Sequence, residues 1–184
     1  MTNIGPWNYN EPKTQGVEAC CFPDTFRGYG SDEAAGDKYA QMVKNAIDFN
    51  TNGKVAMFVG EPIQGAGGVH EMPKGFIKQA AEHARAAGGL YVADEVQCGL
   101  ARSGKMWGHE HFEGVVPDML VMAKTMGNGI PMAAVGMSRE MANSIDKVTL
   151  STYAANPLAI TSGREVLKII DDEGLVENSR ARGE

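Results

Sequence analysis

The stretch Met119–Val135, MLVMAKTMGNGIPMAAV, decides how this sequence is interpreted. Five apolar residues end in Lys124, and a turn of sequence Gly-Asn-Gly-Ile-Pro then leads into a second apolar run. A short continuous apolar run beside turn residues is typical of a strand that is buried on both faces. A lysine at the end of such a strand is costly unless it is paired or used chemically. We therefore expect the surrounding sequence to contain a partner for Lys124 or to indicate a chemical role for it.

Two apolar runs of the same kind lie upstream, at Val55–Val59 (VAMFV) and Leu90–Ala93 (LYVA). Between the strands, apolar residues recur at helical spacing over about residues 38–53 and 76–89, and each pattern closes on glycine. Because strands alternate with helices, the sequence predicts an α/β fold with a mainly parallel sheet and flanking helices.

The two ends of the chain differ in character. Residues 1–37 are rich in Gly, Pro, Asn and Asp and predict a loop-rich lead-in, whereas residues 38–184 carry the regular pattern of one domain. Met132–Val135 predicts a fourth strand, and Ser138 caps a short predicted helix. Asn156-Pro157 predicts the start of a longer helix, with asparagine as N-cap and proline in the first turn.

Composition and charge give no support to several classes of function. The 184 residues are 43% hydrophobic and 22% charged, which is typical of a globular domain with a core. The net charge of −6 gives no electrostatic reason to expect nucleic acid or an anionic membrane as partner. No apolar run approaches the roughly 18 residues that cross a bilayer, and the first residues resemble no targeting segment. The three cysteines and four histidines lack metal-ligand spacing, so we expect reduced thiols, no metal, and histidines in surface or loop positions.

Charged residues follow the predicted strands. Glu61, Asp94 and Lys124 each come after an apolar run, at the carboxyl edge where open α/β sheets bind ligands. Asp94 and Lys124 have two interpretations. They form a structural ion pair, or the lysine binds pyridoxal phosphate as a Schiff base while the carboxylate keeps the pyridine nitrogen protonated. Spacing alone does not separate the two.

Four motifs favour the second interpretation. They are EPIQGAGG at Glu61–Gly68, DEVQCG at Asp94–Gly99, AKTMGNGIP at Ala123–Pro131 and STYAANPLA at Ser151–Ala159. In this order and at these distances they resemble the class III, fold-type I, pyridoxal-phosphate-dependent aminotransferases. Flanking segments such as FPDTFRG and MPKGFIKQA most resemble the mitochondrial alanine–glyoxylate aminotransferase 2 group within that family.

The resemblance implies a role for each matched residue. Lys124 would hold the cofactor covalently and, once released by substrate, carry the proton between two carbons of the adduct. Asp94 would pair with the pyridinium nitrogen, Val96 would pack on the ring face, and Gln97 would hydrogen-bond the ring oxygen O3′. Val96 is a core valine on any interpretation.

Two further residues complete the implied site. Thr152 matches the threonine that reaches the cofactor phosphate of the neighbouring subunit, which implies a homodimer or higher homo-oligomer. Glu61 lies near the cofactor in the family, although a local cap or ion pair is an equally simple interpretation. The glycine run Gly65–Gly68 lacks the context of a phosphate-binding motif, so we expect a turn.

The resemblance also implies what the protein does and where it acts. It predicts transfer of an amino group from an amino acid such as alanine to a 2-oxo acid such as glyoxylate, in the mitochondrion or alternatively the cytoplasm. Ala66 stands where ω-aminotransferases of the family often carry glutamate, which favours an α-amino acid. Family members are about twice as long, so residues 38–184 are expected to be an incomplete large domain that lacks the N-terminal half and the C-terminal small domain. The alternative is a truncated, non-catalytic chain that only associates with a full-length partner.

Overall fold

A computed structural model describes residues 15–148 and 150–184. Six strands are present in this part of the chain: β1 Met57–Gly60, β2 Ile63–Gln64, β3 His70–Glu71, β4 Leu90–Asp94, β5 Met119–Met122 and β6 Ala134–Met137. The helices are α1 Glu33–Asn50, α2 Phe76–Ala86, α3 Arg139–Asn143, α4 Pro157–Asp172 and α5 Leu175–Gly183. Short 3₁₀ helices occupy Gly108–His111 and Lys124–Gly127.

The main sheet has the strand order β1-β4-β5-β6. The first three strands are parallel, whereas β6 runs antiparallel to β5. Strands β2 and β3 form a separate two-stranded antiparallel hairpin. The predicted α/β class with a mainly parallel sheet is therefore confirmed.

The core lies between the sheet and the first two helices. Helix α2 packs against β1 and β4, and α1 packs against α2. Only β4 is largely buried, through Tyr91, Val92 and Ala93. The prediction that β1 and β5 are also buried on both faces is wrong for this chain, because their residues are mostly half-exposed. Strand β1 ends the described sheet, and β5 takes its main contacts from β4 and β6 rather than from a helix.

Helix boundaries follow their capping residues. Asn156 accepts hydrogen bonds from the amides of Leu158 and Ala159, and Ser138 caps α3, both as predicted. Helix α1 begins earlier than the apolar pattern suggests, because the Asp32 carboxylate accepts the Ala35 amide at 2.8 Å. None of the described helices is long and apolar enough to cross a membrane.

A second, smaller core brings α4 close to Lys124. Its buried residues are Leu100 and Ala101, from the loop after β4, and Ile170 of α4. Partly buried side chains pack around them: Met106, Trp107, Met126, Val166, Leu175 and Val176. Because Met126 belongs to the 3₁₀ turn that begins at Lys124, helix α4 packs on that turn.

Candidate active site

The strand register places three charged side chains at one edge of the sheet. Gly60 pairs with Ala93, so Glu61 lies beside Asp94. Asp94 in turn pairs with Val121, three residues before Lys124. The carboxyl ends of β1, β4 and β5 therefore present Glu61, Asp94 and Lys124 together, as the sequence predicted.

The pKa of Glu61 depends on the charges of both Asp94 and Lys124. Burial raises the pKa of this half-buried carboxyl group, and the negative charge of Asp94 raises it further. The Gly65 amide, which donates to Glu61 Oε2 at 2.9 Å, and the positive charge of Lys124 act in the opposite direction. The net pKa remains above the ordinary value. Glu61 thus binds the backbone locally and also belongs to the charged cluster.

Lys124 starts a tight turn rather than ending a strand. Its φ is +49°, in the left-handed region, and the 3₁₀ helix Lys124–Gly127 follows directly. The side chain is exposed in this chain, and Lys124 does not follow a strand buried on both faces, which is what the apolar run predicts. An open concavity of about 600 Å³ lies beside Lys124 and is lined on the described side by residues 129–133.

Left-handed backbone conformations concentrate around the motifs. Six non-glycine residues of the described chain have positive φ, and all lie in or directly after the four motifs: Val69, Leu100, Ala101, Lys124, Asn128 and Ala155. Each such residue costs of the order of 1–3 kcal/mol and persists only where surrounding contacts over-determine it. Backbone strain of this kind clusters at ligand sites, and Lys124 carries it at the edge where the charges meet.

The segment after β4 carries two more predicted site residues. The Val96 amide donates to Asp94 Oδ1 at 3.1 Å, which holds the carboxylate against its own backbone. The exposed Gln97 side chain lies over Gly65, where an added Cβ would stand 2.4 Å from Gln97 Cδ. Glycine at position 65 therefore leaves room for Gln97. The run Gly65–Gly68 is a turn, closed by the Gly68 and Val69 amides on the Gly65 carbonyl.

Thr152 belongs to a different segment of the chain from these residues. It lies in an exposed turn at 152–155, before α4. No hydrogen bond within the described residues joins its side chain to Glu61, Asp94, Gln97 or Lys124. The candidate site at the sheet edge therefore consists of Glu61, Asp94, Val96, Gln97 and Lys124.

Comparison with known proteins identifies the family. The family model "Aminotransferase class-III" matches residues 9–184. This chain belongs to the class-III aminotransferases. Alanine–glyoxylate aminotransferase 2 homolog 2, mitochondrial, from Arabidopsis thaliana is 40% identical over 184 residues, which cover 99% of this chain and 38% of that protein.

Solved structures agree. An (S)-enantioselective omega-transaminase from Thermomicrobium roseum matches 95% of this chain and 40% of its own, with a TM-score of 0.83 and 32% identity. Ornithine aminotransferase from Toxoplasma gondii, whose active site holds pyridoxal phosphate at partial occupancy, matches 96% of this chain and 37% of its own, with a TM-score of 0.74 and 30% identity. This class-III chain therefore spans about 40% of the length of the relatives it matches.

One buried cluster beside the site was missed from the sequence. The Glu95 carboxylate is fully buried and accepts from the Gly108 amide at 2.7 Å and the His109 amide at 2.9 Å. The His109 ring contacts it at 2.8 Å, and the Cys98 thiol donates to it at 3.2 Å. The expectation that His109 is a surface or loop residue is wrong, because it lies in the 3₁₀ helix Gly108–His111 and its side chain is only 12% exposed and pairs with Glu95.

Titration of the cluster follows from these contacts. Burial by itself raises the pKa of Glu95, but the hydrogen bonds from His109, Gly108 and Cys98 outweigh burial and hold the pKa below its ordinary value. Burial and the adjacent Glu95 charge raise the pKa of Cys98 to about 12, so the thiol stays protonated and can donate. Glu95 therefore fastens the loop after Asp94 to the 3₁₀ helix Gly108–His111.

Proposed function

We propose that this chain forms the central part of a pyridoxal-phosphate-dependent transaminase, in which Lys124 and Asp94 act on the cofactor. The observation that carries the proposal is the pair itself. Two neighbouring parallel strands deliver an amine and a carboxylate to one sheet edge, and the amine sits on left-handed backbone at the start of a tight turn. A simple ion pair requires neither the strained turn nor the concavity beside Lys124.

The residues present fit the cofactor. When bound, pyridoxal phosphate supplies an aldehyde that condenses with primary amines and a ring that withdraws electrons from the neighbouring carbon. Lys124 would bind the aldehyde carbon and, once displaced by substrate, would take the proton from the substrate Cα and deliver it to that same cofactor carbon. Asp94, held by the Val96 amide, would accept a hydrogen bond from the protonated ring nitrogen.

The remaining predicted residues would orient the ring. Val96 follows Asp94 directly and would pack on the ring face. Gln97, placed over Gly65, would hydrogen-bond the ring oxygen O3′. Glu61 would shape the polarity of the site, since its charge is coupled to both Asp94 and Lys124. Thr152, exposed on its turn, would reach the cofactor phosphate of a partner subunit in a homodimer.

The substrates that we propose are an α-amino acid such as alanine and a 2-oxo acid such as glyoxylate. The name of the Arabidopsis thaliana relative supports this pair, and the same name supports a mitochondrial location. Ala66 supports an α-amino acid as well, because it is an exposed small residue where ω-aminotransferases often place a carboxylate. Residues 38–184 would then be the part of the large domain that holds the ring and the lysine.

The test uses the full-length gene product with pyridoxal phosphate, alanine and glyoxylate. We expect a cofactor absorption band on binding, borohydride fixation of the cofactor on Lys124, and formation of pyruvate and glycine. In Lys124→Ala, turnover should fall by about a hundredfold or more, because the proton carrier is lost. Lys105→Ala, which removes an exposed lysine of the loop after β4, should behave as wild type. Equal fixation in both variants would overturn the assignment of Lys124.

A further inference from the structure

Helix α4 donates a side-chain hydrogen bond to the lysine turn. Ser162 Oγ donates to the Gly127 carbonyl at 2.8 Å, across 35 residues of sequence. Ser162 is half-buried and Gly127 is buried. Gly127 is the last residue of the 3₁₀ turn that starts at Lys124. The hydroxyl group therefore binds the far end of the turn that carries the proposed catalytic lysine.

The neighbouring hydroxyl in the same helix behaves differently. Thr161 Oγ1 donates to the Pro157 carbonyl at 2.8 Å, four residues back in its own helix. This local bond is the usual arrangement for a serine or threonine inside a helix. The Ser162 hydroxyl instead joins helix α4 to the lysine turn. Thr161 is therefore a suitable control for Ser162 in a mutational experiment.

The helix approaches the turn closely at this point. Gly163 is buried, and a Cβ added there would stand 2.7 Å from Met132 Sδ and 3.5 Å from the Met126 carbonyl. The Gly127 carbonyl also accepts the Ile130 amide at 3.0 Å. That carbonyl therefore joins the lysine turn, the following loop and helix α4.

The turn needs such fixation. It is bracketed by two left-handed residues, Lys124 at φ +49° and Asn128 at φ +45°. Within it, the Met126 amide donates to Ala123 and the Asn128 amide to Thr125, each at 3.1 Å. A strained turn of this kind keeps its conformation only when contacts from outside support it. The hydroxyl of Ser162 supplies one such contact.

We propose that Ser162 is a positioning residue: its hydrogen bond to Gly127 fixes the turn, and the turn directs the Lys124 amine toward Asp94. This proposal rests on the proposed function, because it concerns the same lysine. Ser162 acts through the backbone and does not touch the cofactor. Loss of the Ser162 hydroxyl should therefore slow covalent attachment of the cofactor at Lys124 while the protein stays folded.

The experiment compares Ser162→Ala with Thr161→Ala in the full-length gene product. Pyridoxal phosphate is added, samples are fixed with borohydride over time, and labelling of Lys124 is measured by mass spectrometry relative to Lys44 of α1, a half-buried lysine that pairs with Asp48. We expect Ser162→Ala to lower the Lys124-to-Lys44 ratio of labelling rates about fivefold, as loss of one hydrogen bond permits. Thr161→Ala should leave the ratio unchanged, and Ser162→Thr should restore it.

The outcomes separate the two proposals. Absence of Lys124 labelling in the wild-type protein overturns the proposed function. Labelling in the wild type with equal ratios in Ser162→Ala and Thr161→Ala overturns the positioning role alone. If Ser162→Ala does not fold, Ser162→Cys, a weaker donor of similar size, takes its place. A Lys124-to-Lys44 ratio equal to that of the wild type in Ser162→Cys then contradicts the proposal, and a ratio below that of the wild type supports it.

Discussion

At the scale of single residues, the most constrained carboxylate is Glu95 rather than Asp94. Its oxygens accept the Gly108 and His109 amides and contact the His109 ring, all without solvent. In Glu95→Gln an NH₂ group replaces one accepting oxygen. This NH₂ group would then face the buried N–H and S–H donors that bind the carboxylate in the wild type. We expect unfolding free energy to fall by about 3 kcal/mol, as when one member of a buried pair is removed. Urea unfolding measures the change.

A matched control lies in the same loop. Glu110 Oε2 accepts the Trp107 amide at 2.8 Å, but on the exposed surface. Glu110→Gln should cost no more than about 1 kcal/mol. Equal losses in the two variants would mean that burial of Glu95 contributes nothing.

The acid dependence of Glu95 has a definite sign. Its pKa is lower in the folded state than in the unfolded state, so the unfolded chain binds more protons between the two values. This stabilisation is complete above the unfolded pKa and is lost as the pH falls through the folded pKa. The wild type should therefore lose more stability on acidification than Glu95→Gln does. A steeper acid loss in the variant would contradict the assignment.

Sequence patterns identify some of these residues and miss others for a physical reason. Asp94 and Lys124 are visible because each ends an apolar run inside a recognisable motif. Glu95 is next to Asp94 in the chain, but the two backbone amides that bind it lie 13 and 14 residues away, at the start of a short 3₁₀ helix. The bond of Ser162 spans 35 residues. Contacts between irregular segments leave no periodic signal, so only the folded chain shows them.

At the scale of elements, helix packing explains one glycine of α1. Gly36 is buried, and a Cβ there would stand 1.9 Å from the Lys74 carbonyl. Backbone atoms cannot move aside as a flexible side chain can, so Gly36→Ala must push α1 away from the segment before α2. We expect a loss of about 2 kcal/mol in unfolding free energy, typical of overpacking.

The control for that change is a helical glycine in open space. Gly183 is the last residue of α5, and a Cβ there meets no atom within 4 Å. Gly183→Ala should be neutral or should stabilise the protein by about 0.5 kcal/mol, because alanine restricts the unfolded chain. Thermal unfolding of both variants provides the measurement. A similar shift in both would show that the contact with Lys74 is not limiting.

The predicted elements succeed where the apolar spacing is strong. Helix α2 and the start of α4 match their predictions, because an apolar stripe or an Asn-Pro cap defines them. The hairpin of β2 and β3 was not predicted, since two-residue strands show no alternation. Helix α5 was also missed: its sequence, LVENSRARG, is mostly polar, and its apolar residues Leu175 and Val176 pack against the second core.

At the scale of the whole molecule, apolar surface collects around the last motif. Val148, Leu150 and Tyr153 are 84%, 91% and 85% exposed, and Leu158 at the start of α4 is 67% exposed. Exposed large apolar side chains so close together mark a surface that another protein surface covers. The same segment carries Thr152, which we propose reaches the cofactor of a partner subunit. One surface would therefore serve both dimerisation and cofactor binding.

This leads to a prediction for the full-length gene product. Leu150→Lys with Tyr153→Lys should weaken the proposed homodimer by at least about tenfold, since each side chain contributes of the order of 1.5–3 kcal/mol when buried. Phe49→Lys with Val116→Lys adds the same charge at exposed apolar residues elsewhere, 81% and 71% exposed, and should leave association unchanged. Sedimentation velocity over a concentration series distinguishes the two. Unchanged association in the first variant would mean that other parts of the same polypeptide cover Leu150 and Tyr153, and Thr152 would then have no route to a partner's cofactor.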